Sequence, residues 1–208
     1  MSEHQTPSEP RKYHHGDLGR ALIDAARVIL EQECPAALSL RAVARQAGVS
    51  PAAPYHHFKD KDELLEAVAL EGWSMLDVAV AEVKSEAPSI FEALPELLVA
   101  YVTFARENPA IYRVMFDVAR HRAALPRPPR YDEESAFQRV RANLIAAGVD
   151  PNSSLDLELS TTAVLCAAHG LAELTGFKQF DPLKEACGGE APFLRAVLDH
   201  MGLFPKPR

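Results

Sequence analysis

Cysteine is scarce in this sequence. Cys34, Cys166 and Cys187 lie far apart with no CxxC spacing, which excludes a disulfide framework and reads as free thiols in a reducing compartment. Cys166 falls in an apolar helical stretch, where a buried, inert thiol is expected. Long apolar runs are missing too: LLVAYV (97–102) is far short of the roughly 18 residues that suggest a membrane span. The opening MSEHQTPSEPRK has no apolar h-region and does not read as a secretory signal. A cytoplasmic chain with no membrane partner is expected. No segment alternates as a strand does, and no repeat is visible. Paired carboxylates, nucleophile–base spacings and Gly-rich phosphate loops are also absent, so neither catalysis nor a cofactor is expected.

An excess of positive charge is lacking as well. The net charge of −7 is wrong for a polyanion binder, but it is unevenly placed. Acidic and basic residues balance within residues 1–60, and the whole deficit lies in residues 61–208. A local basic face near the N-terminus is therefore compatible with the acidic whole.

What is present is helical periodicity. Residues 1–15 form a polar tail ending Arg11, Lys12, Tyr13, His14, His15, disordered by composition. From Asp17, Leu18, Leu22, Ala25, Ala26, Ile29 and Leu30 make one apolar stripe that ends at Cys34-Pro35. Ser39 is a good N-cap for a short helix, LRAVARQA, and Gly48 suits its left-handed exit. Ser50 caps again, with Pro51 at the first position of a short third helix over residues 51–57. Asp60 and Glu63 resemble a capping box opening a helix of about 24 residues, roughly 36 Å long. Further helical stripes follow around 90–105, 111–116, 137–145, 155–175 and 193–201, with a Pro/Arg-rich loop at 120–132. The 155–175 stretch is apolar nearly all round, as in a helix buried between neighbours.

Two short capped helices across a Gly turn make a helix-turn-helix. The second exposes Ala52 and Ala53, small enough for close approach to a groove, with Tyr55 and His56 able to reach phosphates. Backbone N–H groups near Ser39 and Ser50 suit phosphate oxygens. SLRAVARQAGVSPAAPYHHFKDKDELLEAV resembles the DNA-binding signature of the TetR family of transcriptional regulators. The likeness covers about residues 16–70. It implies a homodimer on a two-fold-related double-stranded DNA operator, controlled by a small-molecule effector. It also implies that Ser39 and Arg41 approach DNA from the second helix. Ser50, Pro51, Ala52, Tyr55 and His56 do so from the recognition helix, and Lys61 from the start of the next. Pro54 departs from the family's usual aliphatic residue. FARENPAIYRVMF (104–116), AAHGLAEL (167–174) and YHHGDL (13–18) resemble a subgroup named for a Trp-His-Gly pattern, although Leu165 stands where its tryptophan is expected.

Each feature also has a plainer explanation. Adjacent histidines on a helix diverge by about 100°, so His56-His57 and His14-His15 are not metal ligands. His56 reads as a phosphate contact, while His57 and Phe58 read as inward-facing. Arg11 and Lys12 could track the DNA backbone or a minor groove. Tyr101, Tyr112, Met115, Phe116 and Phe137 are core residues or, with His169, the lining of an apolar ligand pocket. The first reading of His169 is a hydrogen-bonded core histidine, with Gly170 allowing close helix packing. By the resemblance, the dimer interface uses the final helix and the 155–175 helix, with Leu157, Leu165, Phe193, Val197 and Met201 as candidates. The expected fold is all-α: a flexible basic arm (1–15) and a helix-turn-helix domain (16–60), joined by a long helix to a ligand-binding and dimerisation domain (61–208). The expected function is a ligand-responsive repressor. The alternative is a helical small-molecule-binding or enzymatic protein whose N-terminal motif is only structural.

Overall fold

The computed structural model describes residues 18–33, 35–83, 90–121 and 135–201, without the side chains of residues 35, 90–93, 120 and 121. Arg11, Lys12, His14, His15, Cys34 and most of the Pro/Arg-rich loop lie outside these. Every regular element among the described residues is helical: α1 (Leu18–Gln32), α2 (Leu40–Gln46), α3 (Lys61–Ala81), α4 (Ile90–Glu107), α5 (Pro109–His121), α6 (Ala136–Ala146), α7 (Ser154–Leu174), α8 (Asp181–Ala186) and α9 (Glu190–Met201). The all-α expectation holds. The described residues form two compact units, divided within α3 between Val68 and Ala69.

In the first unit, α1 buries Leu22, Ala25, Ala26, Ile29 and Leu30 along one stripe and packs on α2. Ser39 caps α2: its Oγ accepts from the Ala42 N–H at 3.1 Å, and Leu40, Val43 and Ala44 face inward. Gly48 ends the helix at φ +69. That left-handed turn lets the Val49 N–H reach the Ala44 carbonyl (2.9 Å) and the Gly48 N–H reach that of Arg45 (3.2 Å), satisfying carbonyls that the helix end would orphan.

The third helix is shorter and tighter than the α-helix expected over 51–57. Residues 51–52 are a turn, and Ala53–His56 form a single 3-10 turn. Pro54 is the reason. In an α-helix its N–H would bond the Ser50 carbonyl, but proline has no N–H and its ring crowds the carbonyl four residues back. The chain instead bonds three residues back, Ala53 to Ser50 (3.0 Å) and Tyr55 to Ala52 (3.2 Å). Pro54 occupies an early position of the turn, buries its ring, and accepts from the His57 and Phe58 N–H groups at 2.9 Å. The proline is an anchor of this turn.

α3 opens as the sequence suggests, with the Glu63 N–H on Asp60 Oδ1 at 3.0 Å. The reciprocal bond goes one residue further back, from the Lys59 N–H to Glu63 Oε2 (2.5 Å). In the second unit, α4 packs on α5, α6, α7 and α9. Asp77 of α3 accepts from the Ala136 N–H at 2.7 Å, so it caps α6 at a helix end that favours negative charge. α8 fills part of what reads from sequence as a loop.

Candidate nucleic-acid interface and ligand site

The helix-turn-helix presents an outer face. Ser39, Arg41, Ser50, Pro51, Ala52, Tyr55 and His56 are all exposed, and Lys61 is half-buried. The aromatic pair of the turn divides cleanly: Phe58 is 7% exposed, within the core, while Tyr55 is 54% exposed. A 3-10 turn places residues three apart on one side, so the turn must loosen after His56 for these two rings to diverge. His57 and Phe58 continue as turn and coil, which supplies that change. The same change corrects one expectation: His57 does not turn inward but is exposed. Its ring lies beside α1, where a Cβ built on Gly19 would stand 3.4 Å from His57 Nδ1. Lys59 is exposed as well. Ser39 Oγ accepts its helix-capping bond, so its hydroxyl hydrogen can still donate to a phosphate.

In the second unit, α4, α5 and α7 bring Tyr101, Tyr112 and His169 into one hydrogen-bonded chain. The two tyrosine oxygens are 3.1 Å apart, and Tyr112 Oη lies 2.5 Å from His169 Nδ1. Burial pushes the Tyr101 hydroxyl up to about 12. It raises that of Tyr112 further, with neighbouring Tyr101 adding to the effect. Both stay neutral in ordinary buffers and serve as hydrogen-bonding groups. Phe116 lies against Tyr112 and His169, at 4.9 and 4.3 Å between ring centres. Four of the six candidate pocket residues thus meet. Met115 is fully buried beneath the helix contact at Gly72, where an added Cβ would fall 2.7 Å from its Sδ. Phe137, on α6, has the Arg141 guanidinium 5.9 Å from its ring centre. Trp73 was missed: it comes from α3 and stands edge-on to Phe116 at 5.4 Å. Nothing in its sequence spacing connects it to residues on α5 and α7.

The N-terminal family description "Bacterial regulatory proteins, tetR family" matches residues 22–68, and "Tetracyclin repressor-like, C-terminal domain" matches residues 94–201. The chain belongs to the TetR family. It is therefore built as a helix-turn-helix DNA-binding regulator with a C-terminal ligand-binding domain. Among solved structures, a protein of unknown function from Rhodococcus sp. RHA1 is 27% identical over 92% of this chain and 96% of its own, with a TM-score of 0.72. A TetR-family transcriptional regulator from Haemophilus influenzae Rd shares 23% identity over 78% and 87%, with a TM-score of 0.60. A tetR-family regulatory protein from Rhodococcus RHA1 shares 20% over 89% and 94%, with a TM-score of 0.64.

In this TetR-family chain the candidate dimer residues fall in different places. Leu157 is 2% exposed and Phe193 is 4% exposed. Both belong to the core of the second unit, so neither can lend surface to a partner. Leu165 and Val197 are partly buried against that core, and Met201 is exposed. α7 buries Leu157, Thr161, Val164, Ala168 and Leu171, so its other side carries Leu155 (70% exposed) and Leu159 (61%). Cys166 lies on that outer side and is exposed, contrary to the expectation of a buried thiol. Gly170 is likewise not a close-packing glycine, since a Cβ there would meet nothing within 4 Å. No helix among the described residues is long and apolar enough to cross a membrane.

Proposed function

We propose that this protein is a cytoplasmic, non-enzymatic repressor that binds a palindromic operator as a homodimer and releases it when a small molecule occupies its C-terminal unit. The separation of Tyr55 from Phe58 carries the DNA reading. One ring completes the core of the first unit, while the other is exposed, as are Ser39, Arg41, Ser50 and His56. Exposed hydroxyl, imidazole and guanidinium groups on one helix-turn-helix suit phosphate contacts. Ala52, exposed in the turn before it, suits contact with a thymine methyl. Arg11 and Lys12, basic residues of the N-terminal segment, would add phosphate contacts.

The outward row of α7, Leu155 and Leu159, supports dimerisation together with exposed Met201 of α9. A monomer gains nothing by exposing leucines on a helix whose other side already fills its core. Two copies would bring the recognition turns to successive major grooves, about 34–36 Å apart. The Tyr101–Tyr112–His169 chain supports the effector role, because it places polar groups within an otherwise apolar helical core. Selection from random-sequence duplexes tests the function. Enrichment of a two-fold-symmetric sequence is expected, whereas purified dimer that enriches nothing would favour a helical small-molecule-binding protein with a structural N-terminal motif.

A further inference from the structure

Trp73, Tyr112, Phe116 and His169 form one continuous aromatic surface drawn from α3, α5 and α7. Phe116 is its hub, with the three other rings 4.3 to 5.4 Å away at tilted or edge-on angles. Trp73, Phe116 and His169 are only half-buried, so part of this surface reaches solvent. Aromatic faces carry negative electrostatic potential and attract cations most strongly where water is partly excluded.

A formal charge of the same sign lies beside these rings. Glu173 follows His169 by four residues on α7, which puts both on one side of the helix. Burial is the main reason the Tyr101 and Tyr112 hydroxyls stay neutral, and the Glu173 charge adds to it at both. Among the described residues no ion pair neutralises Glu173. Ring faces, neutral tyrosine oxygens and a carboxylate therefore all favour a positive group on the ligand.

We propose that this surface, bordered by Glu173, binds an organic cation: a molecule with a protonated amine or quaternary ammonium group on an apolar body. The proposal rests on the reading of the C-terminal unit as an effector-binding domain, and it adds the chemical class. A carboxylate of the same size would bring its charge against Glu173 and the ring faces, and would be rejected.

Trp73 is the only tryptophan in the chain, so intrinsic tryptophan emission reports on this surface alone. The full-length protein is titrated with tetraphenylphosphonium and tetraphenylborate, ions of one shape and opposite charge, and with benzyltrimethylammonium as a smaller cation. Saturable changes are expected with both cations, with the phosphonium bound about tenfold or more tightly than the borate. Glu173→Gln, at an exposed position that leaves the fold intact, shrinks that preference, and Phe116→Leu weakens both cations. Silence with both cations overturns the proposal, as does equal binding of the two tetraphenyl ions or a preference unchanged in Glu173→Gln. The same preparation is assayed for duplex selection. A protein that enriches an operator but ignores the cations refutes the ligand class and leaves the regulator reading standing.

Discussion

Replacing Tyr112 with phenylalanine tests the hydrogen-bonded chain at its middle member. The ring survives, and with it the contacts to Phe116 and His169. Only the oxygen between Tyr101 Oη (3.1 Å) and His169 Nδ1 (2.5 Å) is lost. Tyr101 is buried, so its hydroxyl is orphaned, at a cost of about 1–3 kcal/mol. His169 is half-buried, so water replaces its lost partner more cheaply. The expected destabilisation is about 2 kcal/mol. Tyr101→Phe removes an end of the chain and leaves the Tyr112–His169 bond in place, so about 1 kcal/mol is expected. Once Tyr112 has lost its hydroxyl, the buried Tyr101 oxygen has no partner, so removing it as well relieves the penalty. The double variant should then cost no more than Tyr112→Phe alone, a coupling of about 1 kcal/mol. Urea unfolding followed by Trp73 emission and by circular dichroism measures all three. Additive single effects, or a Tyr112→Phe cost no larger than that of Tyr101→Phe, would refute the chain.

The same tyrosines set an alkaline limit. Both folded-state values are raised above the ordinary 10.0, so their stabilisation is complete below pH 10 and is lost as pH rises toward the folded values. Unfolding free energy should fall by about 1 kcal/mol or more for the pair between pH 9 and 11, and Tyr101→Phe should flatten that fall in urea titrations at the two pH values. Gly72→Ala would place a Cβ 2.5 Å from Ile111 Cγ2 and 2.7 Å from Met115 Sδ. Overpacking of about 1–3 kcal/mol should outweigh the roughly 1 kcal/mol gained in helix propensity, so a variant more stable than the parent in urea would refute this close approach of α3 and α5. Ser39→Ala should lose about 1 kcal/mol of capping along with operator affinity. Ser39→Asp should keep the cap while still losing affinity, and unfolding curves beside gel shifts separate the two effects.

How much of this was legible depended on whether a feature was local. The Ser39 cap, the Gly48 exit and the Asp60–Glu63 start of α3 are each written in a few adjacent residues, and the structure realises the first two as their spacing implies and the third with its reciprocal bond displaced to the Lys59 N–H. Pro54 was not legible as an anchor, because its effect required knowing that its ring would be buried and its turn tightened to 3-10. The periodicity of α7 also failed to fix its orientation. A helix apolar nearly all round has no clear polar face to point outward, so Leu155 and Leu159 cannot be told from Leu157 without the neighbours that cover one side. Tyr112 and His169 are 57 residues apart and meet only through the packing of α4, α5 and α7. Trp73 joins them from a fourth helix, beyond the reach of any sequence spacing.

The exposed side of the helix-turn-helix is proposed to bind DNA, while its buried side holds the fold. Tyr55→Ala and Lys61→Ala, compared with the parent on one selected duplex across a salt series, test it most directly. Both variants should unfold at nearly the parent's urea midpoint yet bind at least about tenfold more weakly, and loss of a phosphate contact at Lys61 should lower the salt slope by about one. Parent-like affinity in both folded variants would show that this side does not bind DNA.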